Sequence, residues 1–313
     1  TTESDPGPAA GGPAPAPAFL GDTMRRYLAA LLTAATVLTA SCAQALPSDT
    51  TTPDGAALRL PLDDYQHSPT QALTVTNAYR VLLIRCARRH GRTLPITSSP
   101  RPLVGPRTWM ERRYGLTDAA DAASYGYGLG PRDPARHPPE TPDLDPATIA
   151  VITGTGDKAP PGGCQEQTRK ALAMAPAGAD PSLPQHLSML SFQRSRTDHR
   201  VQTAVKEWSA CMRAAGHSYA NPFDPIADPA FRDGTSEKEL ATARTDLACK
   251  KRTNLVGVWL SVESAYQRRM IAQNATALQE AKRANQTILR LAQAALDAEM
   301  RAPASTSGGS PAN

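Results

Sequence analysis

Apolar residues recur at helical spacing in several separate windows of the chain. In "TNAYRVLLIRC" (Thr76–Cys86), Ala78, Val81, Leu82 and Arg85 fall on neighbouring turns, and "VQTAVKEWSAC" repeats this with Val201, Ala204, Val205 and Trp208. Both windows run into a Cys followed five residues later by Gly, in "CARRHG" (Cys86–Gly91) and "CMRAAG" (Cys211–Gly216), with Arg at the same place in each. The glycine predicts a left-handed residue that stops the helix. Each window is followed by a second Cys near another helical stretch, "GGCQEQTRKALAM" with Cys164 and "SEKELATARTDLACKKR" with Cys249. Ser236 and Glu239 open the last of these with the spacing of a capping box.

From Asn254 to Arg301 there is no proline and a single early glycine, Gly257, in a segment rich in Ala, Leu, Gln, Arg and Glu. Leu255, Trp259, Val262, Tyr266 and Met270 form one stripe; after a slip, Leu278, Ala281, Ile288, Leu291 and Ala295 form a weaker one. Unbroken, such a helix is about 70 Å long. Its first half is expected to pack on the body of the protein while the second projects, either to a helix of another chain or as a solvated rod. The sequons at Asn274 and Asn285 read as accidental on this helix.

Two stretches break the helical pattern. Thr93–Asp145 has prolines at both ends of a Gly-rich middle. It predicts an ordered loop region on the surface of the first helical unit, with "TDAADAASYG" as its one short helix, capped by Thr117 or Asp118. Tyrosines beside glycines at Tyr114, Tyr125 and Tyr127 make a candidate stacking surface for sugars or peptides, or else plugs that hold the loop to its domain. "ATIAVITGTGDKAPPGG" (Ala147–Gly163) predicts a short strand or extended turn. Its Gly-x-Gly resembles the opening of a dinucleotide site, but the third glycine is missing and Pro160-Pro161 prevents the helix that would hold the phosphate.

A hydrophobic run of another kind lies at Tyr27–Ala40, behind Met24 and two arginines. At about fourteen residues it spans roughly 21 Å, short of the ~30 Å hydrocarbon core, and reads as a cleaved secretory signal. "LTASC" resembles a bacterial lipobox with Cys42 as the lipid carrier, although Thr39 stands where Leu is usual; the competing site, Ala43-Gln44-Ala45, would release a soluble protein. The expected organisation is 1–23 a disordered arm or misassigned extension, 24–41 signal peptide, 42–70 flexible tether, 71–180 and 181–255 two helical units, 256–301 the long helix and 302–313 a disordered tail.

Composition bears on partners and compartment. The formal net charge of +5 is modest, the basic residues are scattered and 5% of the chain is aromatic, which argues against nucleic acid as a partner. With Cys42 set aside, Cys86, Cys164, Cys211 and Cys249 remain, an even number suited to an oxidising compartment. Neither C-x-x-C nor H-E-x-x-H occurs and the Cys86/His90 pair has no companion, so disulfides are expected rather than a metal. Four thiols allow three pairings; the internal echo favours Cys86–Cys164 and Cys211–Cys249. The fold class is therefore mainly α, with disulfide-clamped helical units, long Pro/Gly-rich loops and a long C-terminal helix.

The six histidines, His67, His90, His137, His186, His199 and His217, sit in no nucleophile, zinc or acid-base motif, and no cofactor is expected. His199 beside Asp198 and Glu207 near Trp208 read as a solvated helix face.

"ERRYG…YGYG", "GGC", "WSACMRAAGHSYANP", "ELATARTDLACKKRTNLVGVW" and "ESAYQRRMIAQNATAL" together resemble an uncharacterised family of exported proteins, often lipoproteins, of high-GC actinobacteria. The resemblance implies export, paired cysteines and company with export or wall-associated transport systems, and no catalytic residues. Two functions are open: a membrane-tethered, non-catalytic binding or accessory module of the cell envelope, reaching a protein complex through the C-terminal helix; or an envelope hydrolase acting on cell-wall material.

Overall fold

The computed structural model describes residues 57–139, 142–156, 159–174, 176–231 and 235–301. Regular structure among them is helical: α1 (Pro69–Arg89), α2 (Ala119–Tyr125), α3 (Pro146–Thr153), α4 (Gly163–Ala171), α5 (Leu183–Arg196), α6 (His199–Ala214), α7 (Glu237–Thr253), α8 (Leu255–Gln273) and α9 (Ala275–Arg301). The first and sixth helices end as the Cys-x-Arg-x-x-Gly echo predicts. Gly91 (φ 67°) and Gly216 (φ 89°) are left-handed, and the following N–H groups of Arg92 and His217 donate to Ala87 and Met212 carbonyls, closing both helices with the same motif. Cys86 is bonded to Cys164 and Cys211 to Cys249, with Cα–Cα distances of 5.6 and 5.7 Å. One bridge ties α1 to α4, the other α6 to α7.

The segment read as a strand is α3. Asp145 caps it, accepting from the Thr148 N–H and hydroxyl, Pro146 supplies a preset φ at the first position, and Gly154 (φ 79°) ends it. Capping at both ends and burial of Val151 and Ile152 against the Cys86–Cys164 bridge and α1 outweigh the β preference of Thr148, Ile149, Val151 and Ile152. Of the dinucleotide-like glycines, Gly154 has a steric purpose: a Cβ on it would collide with the Gly163 backbone, and one on Gly163 with Gly154, whereas Gly156 faces open space. The α3 exit and the α4 entry cross where neither chain has a side chain.

The long C-terminal helix is present, interrupted at Asn274. The Asn274 side-chain amide donates to the Met270 carbonyl, 2.8 Å, a local bond that competes with the helical ladder. The expected projection does not occur. α9 turns its stripe onto α1: Ile288 and Ala292 pack with Val75, Ala78 and Leu172, while Leu278 packs with Leu62, Leu187 and Met270. Arg85 of α1 reaches Glu299 at 2.6 Å. The stripe runs through Ala281, Ile288 and Ala292, which leaves Leu291 on the outside.

Two further boundaries move. The tether assigned to 42–70 gives way to the body by Leu58, because Leu58, Leu60 and Leu62 are buried and Pro61–Asp64 forms a 3-10 turn. The Pro/Gly-rich region does not lie on the surface of the first unit. It packs into the second, with Met110 and Tyr114 in the main core beside Trp208, Met212, Val256 and Trp259, and with Leu116, Ala122 and Tyr127 against Ala243 of α7. α2 forms within it, capped by Asp118.

Candidate functional site

Three polar constellations hold the Pro/Gly-rich region in place. In the first, Arg107 and Arg132 face Glu111, Asp118 and Asp121. Arg132 grips Glu111 with both Nη atoms, 2.8 and 3.0 Å, and Asp121 at 3.0 Å; Arg107 contacts all three acids. Burial alone would raise the Glu111 and Asp118 carboxyls, but hydrogen bonds outweigh it: those from Arg132 and the Arg107 N–H hold Glu111 low, those from the Asp121 N–H and Arg107 hold Asp118 low. Asp121 is pushed up by burial and by sharing the site with Glu111 and Asp118. The carboxylate oxygens of these three residues lie within 4.8 Å of one another, close enough to hold a cation. The two guanidinium groups already supply positive charge there, so a metal would have to displace them.

The second constellation surrounds Glu263 of α8, which accepts from Arg113 Nε (3.0 Å), the Tyr114 hydroxyl (3.0 Å) and the Ser191 hydroxyl (2.8 Å). The third pairs Lys250 with Asp246, 3.0 Å, both fully buried. Trp208 Nε1 donates to Asp246 at 2.8 Å and Lys250 Nζ to the Leu116 carbonyl at 2.7 Å. Burial pushes the Asp246 carboxyl up and the Lys250 ammonium down, against the attraction between them. The capping box at α7 is half formed for a related reason: Ser236 accepts the Glu239 N–H, but the Glu239 carboxylate accepts from the Tyr127 N–H instead.

The proposed tyrosine surface is thereby corrected for two of its three members. Tyr114 is buried, stacked on Trp259 with centroids 5.1 Å apart, and Tyr127 is stacked on Phe231 at 5.7 Å. Burial and the Glu263 charge push the Tyr114 hydroxyl far above its usual range. Tyr125 remains half-buried in the wall of a cleft of about 660 Å³ shared with Arg112, Asp133 and Arg136, and its ring is faced by Gly130. Both disulfides involve the expected cysteines, and Cys86 and Cys164, bonded to each other, are not available beside His90 as metal ligands. Cys42 lies outside the described residues.

A second cleft, of about 390 Å³, escaped the sequence reading. It lies where the Tyr65–Ser68 turn meets the 107–109 loop and α9, and Trp109 stands at it, 38% exposed. Its geometry depends on His67. Trp109 Nε1 donates to the His67 carbonyl at 2.7 Å, and His67 Nε2 donates to the Asn285 carbonyl at 2.7 Å. Asn285 in turn donates to the carbonyls of Tyr65 and Pro181, each 3.1 Å. Ser68 and Gln71 close the turn from the other side as a reciprocal capping box opening α1. The walls carry Gln66, Gln71 and Gln286 amides, with Arg59 and Lys282 balanced by Asp63 and Asp64. No periodic signal announced Trp109, because most of its surroundings come from segments remote in the chain, the Tyr65–Ser68 turn and α9. No protein family, curated protein or solved structure matches this chain.

Proposed function

We propose that this protein is an exported, lipid-tethered, non-catalytic binding or accessory module of the cell envelope. The observation that carries the reading is the pair of disulfides, each clamping one helix pair, since such bonds persist in oxidising compartments. The signal-like run at Tyr27–Ala40 and the lipobox-like "LTASC" support export and a tether at Cys42, as does the resemblance to actinobacterial exported lipoproteins. No described helix is long and apolar enough to cross a membrane. A hydrolase needs an acid or base free to change its bonds, whereas Glu111, Asp118, Asp121, Asp246 and Glu263 are engaged in structural ion pairs.

An envelope protein complex is the partner in this reading. Because the inner stripe of α9 is taken by α1, contact through the C-terminal helix would use surface outside that stripe, where Leu291 and Met300 are each exposed. Intact-mass spectrometry of the protein from its native host, before and after reduction, tests the proposal. The expected species begins at Cys42 with added acyl mass and shows four further thiols only after reduction. A start at Leu46 removes the tether, and free thiols before reduction remove the oxidising compartment.

A further inference from the structure

We infer that the cleft beside Trp109 binds a neutral, amide- and hydroxyl-bearing oligosaccharide, with the indole as its stacking platform. The inference rests on the reading of the protein as an exported binding module and names its ligand class.

Four features point the same way. The indole is a large apolar group left 38% exposed, yet it is not loose: the bond from Nε1 to the His67 carbonyl fixes its plane, and His67 is itself bolted to α9 through Asn285. A ring held in place before binding loses little freedom on binding. The face of an indole is electron-rich, and the C–H face of a sugar ring is apolar and slightly positive, so the two stack. The second aromatic at the cleft, Tyr65, is not a rival platform, because the Lys282 ammonium sits 5.4 Å from its ring centroid.

Around the platform stand groups suited to hydroxyls and acetamides. Gln286 is exposed on α9 at the cleft and makes no side-chain hydrogen bond among the described residues, while Gln66 and Gln71 add amides on the opposite wall. The ionised groups cancel: Arg59 and Lys282 against Asp63 and Asp64, with Arg59 and Asp64 paired at 3.1 Å. A site with balanced charge has no reason to select a strongly charged ligand. The volume of about 390 Å³ lies in the range of small-ligand sites, roughly 300–1,000 Å³, and suits a short segment of a chain of sugars. A peptide fits less well. Recognition by strand addition needs a sheet edge and recognition of a helix needs an apolar groove, and this cleft has amide and charged walls.

The test is calorimetric titration of the full chain with tri-N-acetylchitotriose, with indole emission as a second readout. Trp208 and Trp259 are buried, so a ligand that stacks in the cleft changes the emission of Trp109 alone among the three tryptophans. Saturable binding is expected, independent of salt, weakened roughly tenfold or more in Trp109→Ala and weakened in Gln286→Ala, but unchanged in Tyr125→Ala outside the cleft. Circular dichroism of each variant separates loss of the site from loss of the fold. Absence of binding, equal affinity in Trp109→Ala, a steep fall with salt, or binding of an uncharged tripeptide in place of the sugar would each overturn the inference. If the mass measurement shows a tethered disulfide protein and the sugar does not bind, the ligand assignment fails and the broader reading stands. If the sugar binds but the tether is absent, the reverse holds.

Discussion

At the scale of single residues, the interior is organised by charges that the sequence shows only as scattered polar positions. Lys250 is 1% exposed and Asp246 is fully buried, so each is tolerable only with the other beside it. Lys250→Met therefore should cost about 3–5 kcal/mol in a urea titration, because Asp246 would stay buried without a counter-charge, and changing Asp246→Leu in the same chain should recover part of that loss. The ion pairs of the Pro/Gly-rich region set a pH dependence. Glu111 and Asp118 are held below their ordinary values of 4.5 and 3.8, so their contribution is complete above those values and disappears as pH falls through the lower folded ones. Asp121, pushed up, takes its proton earlier and offsets part of the loss. Thermal melts are expected to be flat from about pH 7 to about pH 5 and to fall below about pH 4.5; an Arg132→Met variant should flatten that fall.

At the scale of elements, ends and clamps matter more than propensity. α4 closes with the same hydrogen-bond pattern as α1 and α6, but its left-handed residue is Ala173 (φ 49°), which pays a steric cost that Gly91 and Gly216 avoid. Ala173→Gly should stabilise the protein by about 1 kcal/mol in denaturant unfolding, an unusual direction for a substitution to glycine. The two bridges close segments separated by 78 and 38 residues. On loop entropy, replacing Cys86 and Cys164 by Ala should cost about 4.5 kcal/mol and replacing Cys211 and Cys249 about 4 kcal/mol. Guanidinium unfolding of the two double variants checks that order; a reversal would place residual structure in the longer loop of the unfolded chain.

At the scale of the whole molecule, contacts remote in sequence join the described helices. α9 covers α1, and the Pro/Gly-rich region carries Tyr114 into the core of α6 and α8 and Tyr127 against α7. The two bridged halves are thus expected to melt together. Ile288→Ala, in the α1–α9 contact, should cost about 2–4 kcal/mol and lower the unfolding midpoint read from Trp208 and Trp259 as much as that read from backbone dichroism. Separate transitions would show that the halves are independent.

The helical class, the positions of most helices, both disulfide pairings and the glycine stops were legible in the sequence, because each depends on a local pattern: a 3.6-residue period, a cap, a Cys-x-Arg-x-x-Gly echo. The same local logic assigned α3 to a strand, because a β-branched run carries no mark of the Asp145 cap and the buried pocket that make it helical. Tertiary structure alone decided where α9 lies, since a weak apolar stripe fits a partner chain, solvent or α1 equally well until the α1 face is in place. It also decided which aromatic remains open. Tyr114 and Tyr127 have the glycine neighbours that suggest exposure, yet Glu263, Trp259 and Phe231 draw them inward, while Trp109 is held at the surface by a carbonyl 42 residues earlier in the chain. Burial is a property of what packs against a residue, and the packing partners here come from segments that no local window contains.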